Sequence, residues 1–165
     1  PIREKENKEK LWQGLKAGII DFIVSDHSPC TPQLKCLQEG DLGKAWGGIS
    51  SLQFGISLIW TEMRKRGMSI TELFEYMSKK TSSFIGLESS HGQIKIGLRA
   101  DFVVFDPEHE YVISKSNILH KHKETPYENR YVFGKVKQTI LSGKIIYKEG
   151  SLIGAPHGKA LFKEI

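Results

Sequence analysis

Residues 19–24, Ile19-Ile20-Asp21-Phe22-Ile23-Val24, form a nearly continuous run of branched and aromatic side chains. Such a run suits a strand buried on both faces, the kind found in parallel sheets flanked by helices. It stops abruptly at the polar cluster Ser25-Asp26-His27-Ser28-Pro29. In α/β folds the loops that follow buried parallel strands carry the chemistry, because the strand ends hold those loop residues in fixed positions. This junction predicts the α/β class and the place to look for a site.

The surrounding pattern agrees with helices on either side of that strand. Leu11, Trp12 and Leu15 recur at helical spacing, and Gly18 stands where a helix C-cap is expected. A long loop runs from Cys30 to about Gly48, and loops of that length inside a compact domain are usually functional or disordered. Ile49, Leu52, Ile56, Ile59, Trp60 and Met63 mark one face of a helix that stops at Gly67. Ser69 with Glu72 is a capping box opening a second helix with Leu73, Phe74 and Met77. A third, short helix is expected from Thr81, covering residues 84–87.

The texture changes after about residue 88, to glycine turns and β-branched strands. The stretch 100–106 reads as a strand ending at Pro107, and residues 136–141 and 144–147 around Ser142-Gly143 read as a hairpin. The expected organisation is an α/β part over 1–88, a β part over 89–150 and an extended tail over 151–165.

Composition narrows the function classes. The 165 residues carry 24 Lys+Arg against 19 Asp+Glu, a net charge of +5. The basic residues are interspersed with acids, which describes a solvated surface and not a nucleic-acid footprint. No apolar run approaches the roughly 18 residues of a membrane span. The two cysteines, Cys30 and Cys36, are too few for a disulfide framework and wrongly spaced for a zinc knuckle. They are expected as reduced thiols in an intracellular protein, whose compartment the sequence does not specify. The chain opens on Pro1-Ile2-Arg3 without an initiator Met, so it is expected to be a piece of something longer.

Asp26 is the sharpest chemical candidate. A carboxylate at the mouth of a buried strand can ligate a metal and can take a proton from water; the alternative is a turn residue before Ser-Pro. His27 beside it is a ligand, a substrate contact or a loop orienter. Gly47-Gly48 after Trp46 offers backbone at close approach, or simply a helix-entry turn. His120-Lys121-His122 has the alternation of a metal pair, but it lies among lysines with no buried strand before it.

Two segments carry a specific resemblance. Residues 21–32, Asp21-Phe22-Ile23-Val24-Ser25-Asp26-His27-Ser28-Pro29-Cys30-Thr31-Pro32, closely resemble the eighth barrel strand and loop of the allantoinases, and Lys44-Ala45-Trp46-Gly47-Gly48 through Gln53 does the same. Gly92-Gln93-Ile94 through Gly97, with Ala100-Asp101-Phe102-Val103, resembles the C-terminal signature of cyclic amidohydrolases in general. The likeness continues through His122-Lys123, Thr125-Pro126-Tyr127 and residues 137–143, and reaches back to Pro1-Ile2-Arg3.

What the resemblance implies is a hydrolase that opens the hydantoin ring of (S)-allantoin to allantoate in purine and ureide degradation. The implied fold is a (β/α)8 TIM barrel with a small β-sandwich domain, and this chain is expected to be its C-terminal portion. The implied cofactor is zinc, two ions per subunit, held by an H-x-H pair, a carboxylated lysine, two further histidines and the Asp after strand eight. Asp26 matches that last ligand and, by the family mechanism, is also the catalytic proton shuttle. Trp46, Gly47 and Gly48 would contact the ring amides, with His27 and Cys30 lining the pocket. The implied assembly is a homotetramer acting on a small molecule, with no nucleic acid or membrane partner. The remaining ligands have no counterpart in this chain, so on its own it is expected neither to bind zinc stoichiometrically nor to turn over allantoin. The other readings are a dihydropyrimidinase or hydantoinase relative, and a metal-free interaction module.

Overall fold

Lys5–Lys16 forms helix α1, and one charged face of it is answered from across the chain. The computed structural model describes residues 4–162; Pro1, Ile2 and Arg3, which share in the resemblance, and the final residues 163–165 of the expected tail lie outside them. Leu15 is buried and Trp12 packs beside it, whereas Leu11, expected on the same face, is exposed. The helix ends as its sequence predicts: the Ala17 N–H donates to the Gln13 carbonyl, and Gly18 takes the left-handed conformation with φ 72°.

Helix α2, Gly55–Arg64, follows a 3-10 turn at Leu52–Phe54. It therefore starts later than the apolar spacing from Ile49 suggests, because Ile49 is held in a parallel bridge to His27 instead. Beyond Gly67 the capping box forms as expected, with the Glu72 N–H donating to Ser69 Oγ and the Ser69 N–H to the Glu72 carboxylate. Helices α3, Ile70–Phe74, and α4, Lys80–Phe84, are one continuous run joined through a π turn at Glu75–Lys79. The expected third helix is thus not a separate element, and it stops short of residues 85–87.

Strands β1, Phe102–Val112, β2, Tyr131–Leu141, β3, Lys144–Lys148, and β4, Ser151–Leu152, make an antiparallel meander in that order. The predicted hairpin is β2–β3, closed by Ser142 and Gly143 with φ of 50° and 78° and with Leu141 opposite Lys144. Both positive φ values suit the two-residue turn that matches strand twist. Strand β1 does not end at Pro107. Its pairing with β2 is interrupted between Asp106 and Glu110 and then resumes, so the proline sits in a bulge. The Pro107 carbonyl freed there accepts from Trp60 Nε1 at 2.9 Å and from Arg64 at 3.3 Å.

The helices pack onto the sheet through α2. Leu15, Trp60, Met63, Met68, Leu73 and Tyr76 form the larger core, with Ile20, Ile23, Phe105 and Phe133 against it. Phe54, Ile113, Ile118 and Val132 form the smaller one. The contact between α2 and β2 is close. A Cβ at Gly134 would overlap Phe105 Cζ and lie 2.7 Å from Trp60 Cδ1, and the φ of +88° is itself unfavourable for any other residue. Ser57 Oγ donates to the Gly134 carbonyl at 2.6 Å, and the Phe133 N–H donates to Thr61 Oγ1 at 2.8 Å.

Ile19 and Ile20 belong to the bend that closes α1, both N–H groups donating to the Gly14 carbonyl, and residues 21–24 run on beside the helices without joining a sheet. The expectation of a strand buried on both faces is met in part. Ile20 and Ile23 face the core, whereas Ile19 and Val24 are 79% and 65% exposed. A strand buries its second face only against neighbouring elements, and among the described residues none covers it. An open, mainly apolar groove of ≈ 570 Å³ remains there, lined among others by Phe22, Val24, Met77, Phe84, Ile85 and Leu87. No helix among the described residues is long and apolar enough to cross a membrane.

Arg66 ties α1 to α2 through Glu9 at 2.6 Å and Glu62 at 3.0 Å, and Lys8 and Lys65 also bond Glu62. Burial pushes the Glu62 carboxyl upward, but the hydrogen bonds from Lys65, Lys8 and Arg66 outweigh it and hold the pKa at about 2, below the ordinary 4.5. A depressed carboxylate stabilises the fold above its unfolded value and loses that contribution as protons bind. Stability is therefore expected to fall between pH 4.5 and about 2, and Glu62→Gln should flatten that fall in urea titrations repeated across the range. Gly134→Ala should lower stability by about 2–4 kcal/mol, through overpacking and a strained φ, read from the same titrations at neutral pH.

Candidate active-site loops around Asp26

The extended segment is fastened at alternate points before it reaches Asp26. The Ile23 N–H donates to the Tyr76 carbonyl at 3.1 Å, and Ser25 Oγ lies 3.0 Å from Ser51 Oγ. Beyond Asp26, the Ser28 N–H donates to the Ile49 carbonyl at 2.9 Å within the parallel bridge. Asp26 itself is exposed, between fixed neighbours on both sides. A carboxylate on backbone anchored at both sides is held in place for a ligand or proton-transfer partner that comes within hydrogen-bond reach.

His27 is turned the other way. Its Nδ1 accepts the N–H groups of Ser51 at 3.0 Å and Leu52 at 3.2 Å. When the ring is neutral this fixes the proton on Nε2, leaving a single N–H to donate. The imidazole thus also serves as the N-terminal acceptor for the turn that opens α2, as a capping side chain would.

Trp46, Gly47 and Gly48 come against this loop. A Cβ at Gly48 would overlap the carbonyl and hydroxyl oxygens of Ser28 and lie 2.6 Å from Trp46 Nε1, so the glycine lets the two loops interlock. The close approach that Gly48 permits is to the Ser28 loop of this same chain. The Ile49 segment extends that interlock instead of starting a helix. Lys35 completes it, donating from Nζ to the carbonyls of Trp46, at 2.9 Å, and Gly48. Trp46 is 50% exposed, Gly47 is exposed and Cys30 is a buried free thiol.

Several contributors escaped the sequence. Lys35 ends a single 3-10 turn, Pro32–Lys35, and nothing in its local sequence signals its partners. Thr125 donates to the Ser50 carbonyl at 2.8 Å, and Gln53 bonds both the Asn117 carbonyl and the Leu119 N–H, so residues 117–125 are tied to the entry of α2. This brings the His120 ring edge-on to His27, with centroids 5.6 Å apart. Both His120 ring nitrogens are buried without a hydrogen-bond partner among the described residues. Burial pushes its pKa below the ordinary histidine value. Among the described residues no three His, Cys, Asp or Glu side chains are grouped to hold a metal ion. A zinc site takes at least three protein ligands.

Comparison with known proteins gives these loops a family context. The amidohydrolase family matches residues 3–146. The chain is 47% identical over 155 residues to a probable allantoinase 2 of Dictyostelium discoideum, covering 91% of this chain and 30% of that protein. It is 41% identical over 162 residues to an allantoinase of Saccharomyces cerevisiae, covering 98% of this chain and 34% of that protein. Among solved structures, a D-hydantoinase (dihydropyrimidinase) from Thermus sp. superposes with a TM-score of 0.84 at 28% identity, over 94% of this chain and 34% of that one. The chain spans about a third of the length of the curated relatives it matches.

Each buried polar atom left without a partner costs about 1–3 kcal/mol. Replacing the imidazole by a ring of similar shape removes two of them, so His120→Phe should raise the thermal midpoint. Calorimetry on the two proteins checks this.

Proposed function

The chain belongs to the amidohydrolase family, and from that premise we propose that it forms the closing strand and helices of a (β/α)8 amidohydrolase barrel, within a protein that opens the hydantoin ring of (S)-allantoin to allantoate. Residues 1–88 are assigned to the barrel, 89–150 to the C-terminal part of the small β domain and 151–165 to the tail, whose first residues, Ser151–Leu152, are not loose but add strand β4 to that domain's sheet. The single observation that carries the reading is the identity of 41–47% with allantoinases over nearly the whole chain, against 28% with the hydantoinase structure. The apolar groove beside Phe22 and Val24 is where the other barrel elements would pack.

Asp26 is the acid–base group in this reading. Its carboxylate takes a proton from the attacking water as the oxygen adds to the ring carbonyl. It returns that proton to the ring nitrogen as the C–N bond breaks, and so ends the cycle unchanged. Lys35 already engages the carbonyls of Trp46 and Gly48. That leaves the peptide groups of the exposed Gly47 to meet the ring amides. With Nδ1 held by Ser51 and Leu52, Nε2 is the His27 nitrogen left to donate to a substrate, and Cys30 backs the loop. The two zinc ions of the family, and their other ligands including a carboxylated lysine, are assigned to barrel segments outside these 165 residues, and the assembled protein to a homotetramer.

The superposition on hydantoinases supports a second reading, in which the substrate is a hydantoin or dihydropyrimidine. One set of assays separates the two. The 165-residue chain alone should show no stoichiometric zinc binding by calorimetry and no turnover of allantoin. The protein completed with the preceding barrel segments should open allantoin faster than dihydrouracil. Asp26→Asn in that protein should lower kcat by about 10²–10⁴, the usual worth of a positioned acid–base group. A preference for dihydrouracil would establish the second reading, and turnover by the short chain would refute the division of the site.

A further inference from the structure

The π turn at Glu75–Lys79 interrupts an otherwise regular helical run, and such one-turn bulges are frequent at functional sites. In an α-helix the Lys80 N–H would reach the Tyr76 carbonyl. Here it donates to the Glu75 carbonyl, one residue further back. The Tyr76 carbonyl, left by its usual donor, accepts the Ile23 N–H at 3.1 Å. The neighbouring carbonyls are provided for by a side chain, since Thr81 Oγ1 lies 3.2 Å from the Met77 carbonyl and 2.8 Å from that of Ser78. Ser78 Oγ in turn donates to the Gly92 carbonyl at 3.2 Å.

We propose that this π turn is a positioning device for Asp26, with Tyr76 and Thr81 as its positioning residues. The proposal rests on the reading of Asp26 as the acid–base group. A strand inside a complete sheet is held by neighbouring strands on both edges. The segment carrying Asp26 is held on its helix side by the Tyr76 carbonyl, three residues before the carboxylate. Alternation along the extended chain does the rest. Ile23 points into the core, Ser25 reaches Ser51, and Val24 and Asp26 face outward. The regular hydrogen bond given up in the helix is thus exchanged for one that sets where the strand lies. A helix continuing in α geometry would offer the strand no unengaged carbonyl at that point.

The test removes the bulge without touching the site. A π bulge is equivalent to one residue inserted into an α-helix, so deleting Lys79 should restore regular spacing while the flanking faces stay in place. Lys79 is exposed, and its side chain bonds Glu75 only. In the 165-residue chain, hydrogen exchange of the Ile23 amide should accelerate about tenfold or more, the order of one lost hydrogen bond. The Phe133 amide, bonded to Thr61, should keep its protection. In the completed enzyme, kcat on its cyclic amide should fall about tenfold with KM little changed, as for a misplaced catalytic group. Thr81→Val should move both readouts in the same direction and Thr81→Ser should restore them, which keeps the test decisive where the deletion variant does not fold. Unchanged Ile23 exchange in the deletion and in Thr81→Val, or unchanged kcat despite lost protection, would overturn the proposal. A wild-type enzyme inactive on allantoin but active on dihydrouracil would overturn the substrate reading alone, because the exchange and kcat comparisons stand on any ring the enzyme opens.

Discussion

The close seating of α2 on β2 is the contact from which the rest of the structure is arranged. Gly134 removes the side chain that would hold the helix away, and Trp60 and Phe105 fill the space so opened. Ser57 and Thr61, both buried, would be costly on an apolar helix face without partners. Each is answered by β2 itself, through the Gly134 carbonyl and the Phe133 N–H. Hydrogen bonding and packing thus specify the same register. The larger core lies on one side of this contact, with α1, α3 and the extended segment against it, and the smaller core lies around Phe54 and Val132.

The site depends on the same helix. The entry to α2 supplies the N–H groups that orient His27, the hydroxyl that meets Ser25 and the carbonyl that receives Thr125. Residues from the β part are thereby brought against the loop that carries Asp26, as the edge-on contact of His120 with His27 makes plain. Lys35 and Gly48 lock the second loop to the first. The candidate chemistry therefore sits on backbone fixed from several directions, while the Asp26 carboxylate remains exposed.

Much of this was legible in the chain. The capping box at Ser69, the terminator at Gly18, the Ser142-Gly143 hairpin and the apolar face of α2 are local signals, and local signals survive folding when tertiary contacts do not oppose them. The polar cluster after Val24 marked the candidate loop from composition alone. The failures are equally specific. Ile49 has helical spacing with Ile56 but is taken by His27 in a parallel bridge, which no local pattern encodes. Pro107 reads as a strand end, yet Trp60 and Arg64 satisfy the bulge around it. The helix expected to start at Thr81 is continuous with the one before, because a π turn absorbs the irregularity.

The sequence by itself determined the residue types at the site and the family, since the order Ser-Asp-His-Ser-Pro-Cys and the Trp-Gly-Gly loop are properties of the chain alone. It also determined which helices and strands form wherever spacing, caps and turns agree. The tertiary structure decided what those residues do to one another: that His27 orients a helix entry, that Lys35 engages the glycine loop, that His120 lies against His27, and that the Tyr76 carbonyl leaves its helix for Ile23. Each of these joins groups far apart in sequence through a single hydrogen bond or ring contact. Only packing brings such groups within range, so no periodicity or local propensity announces them.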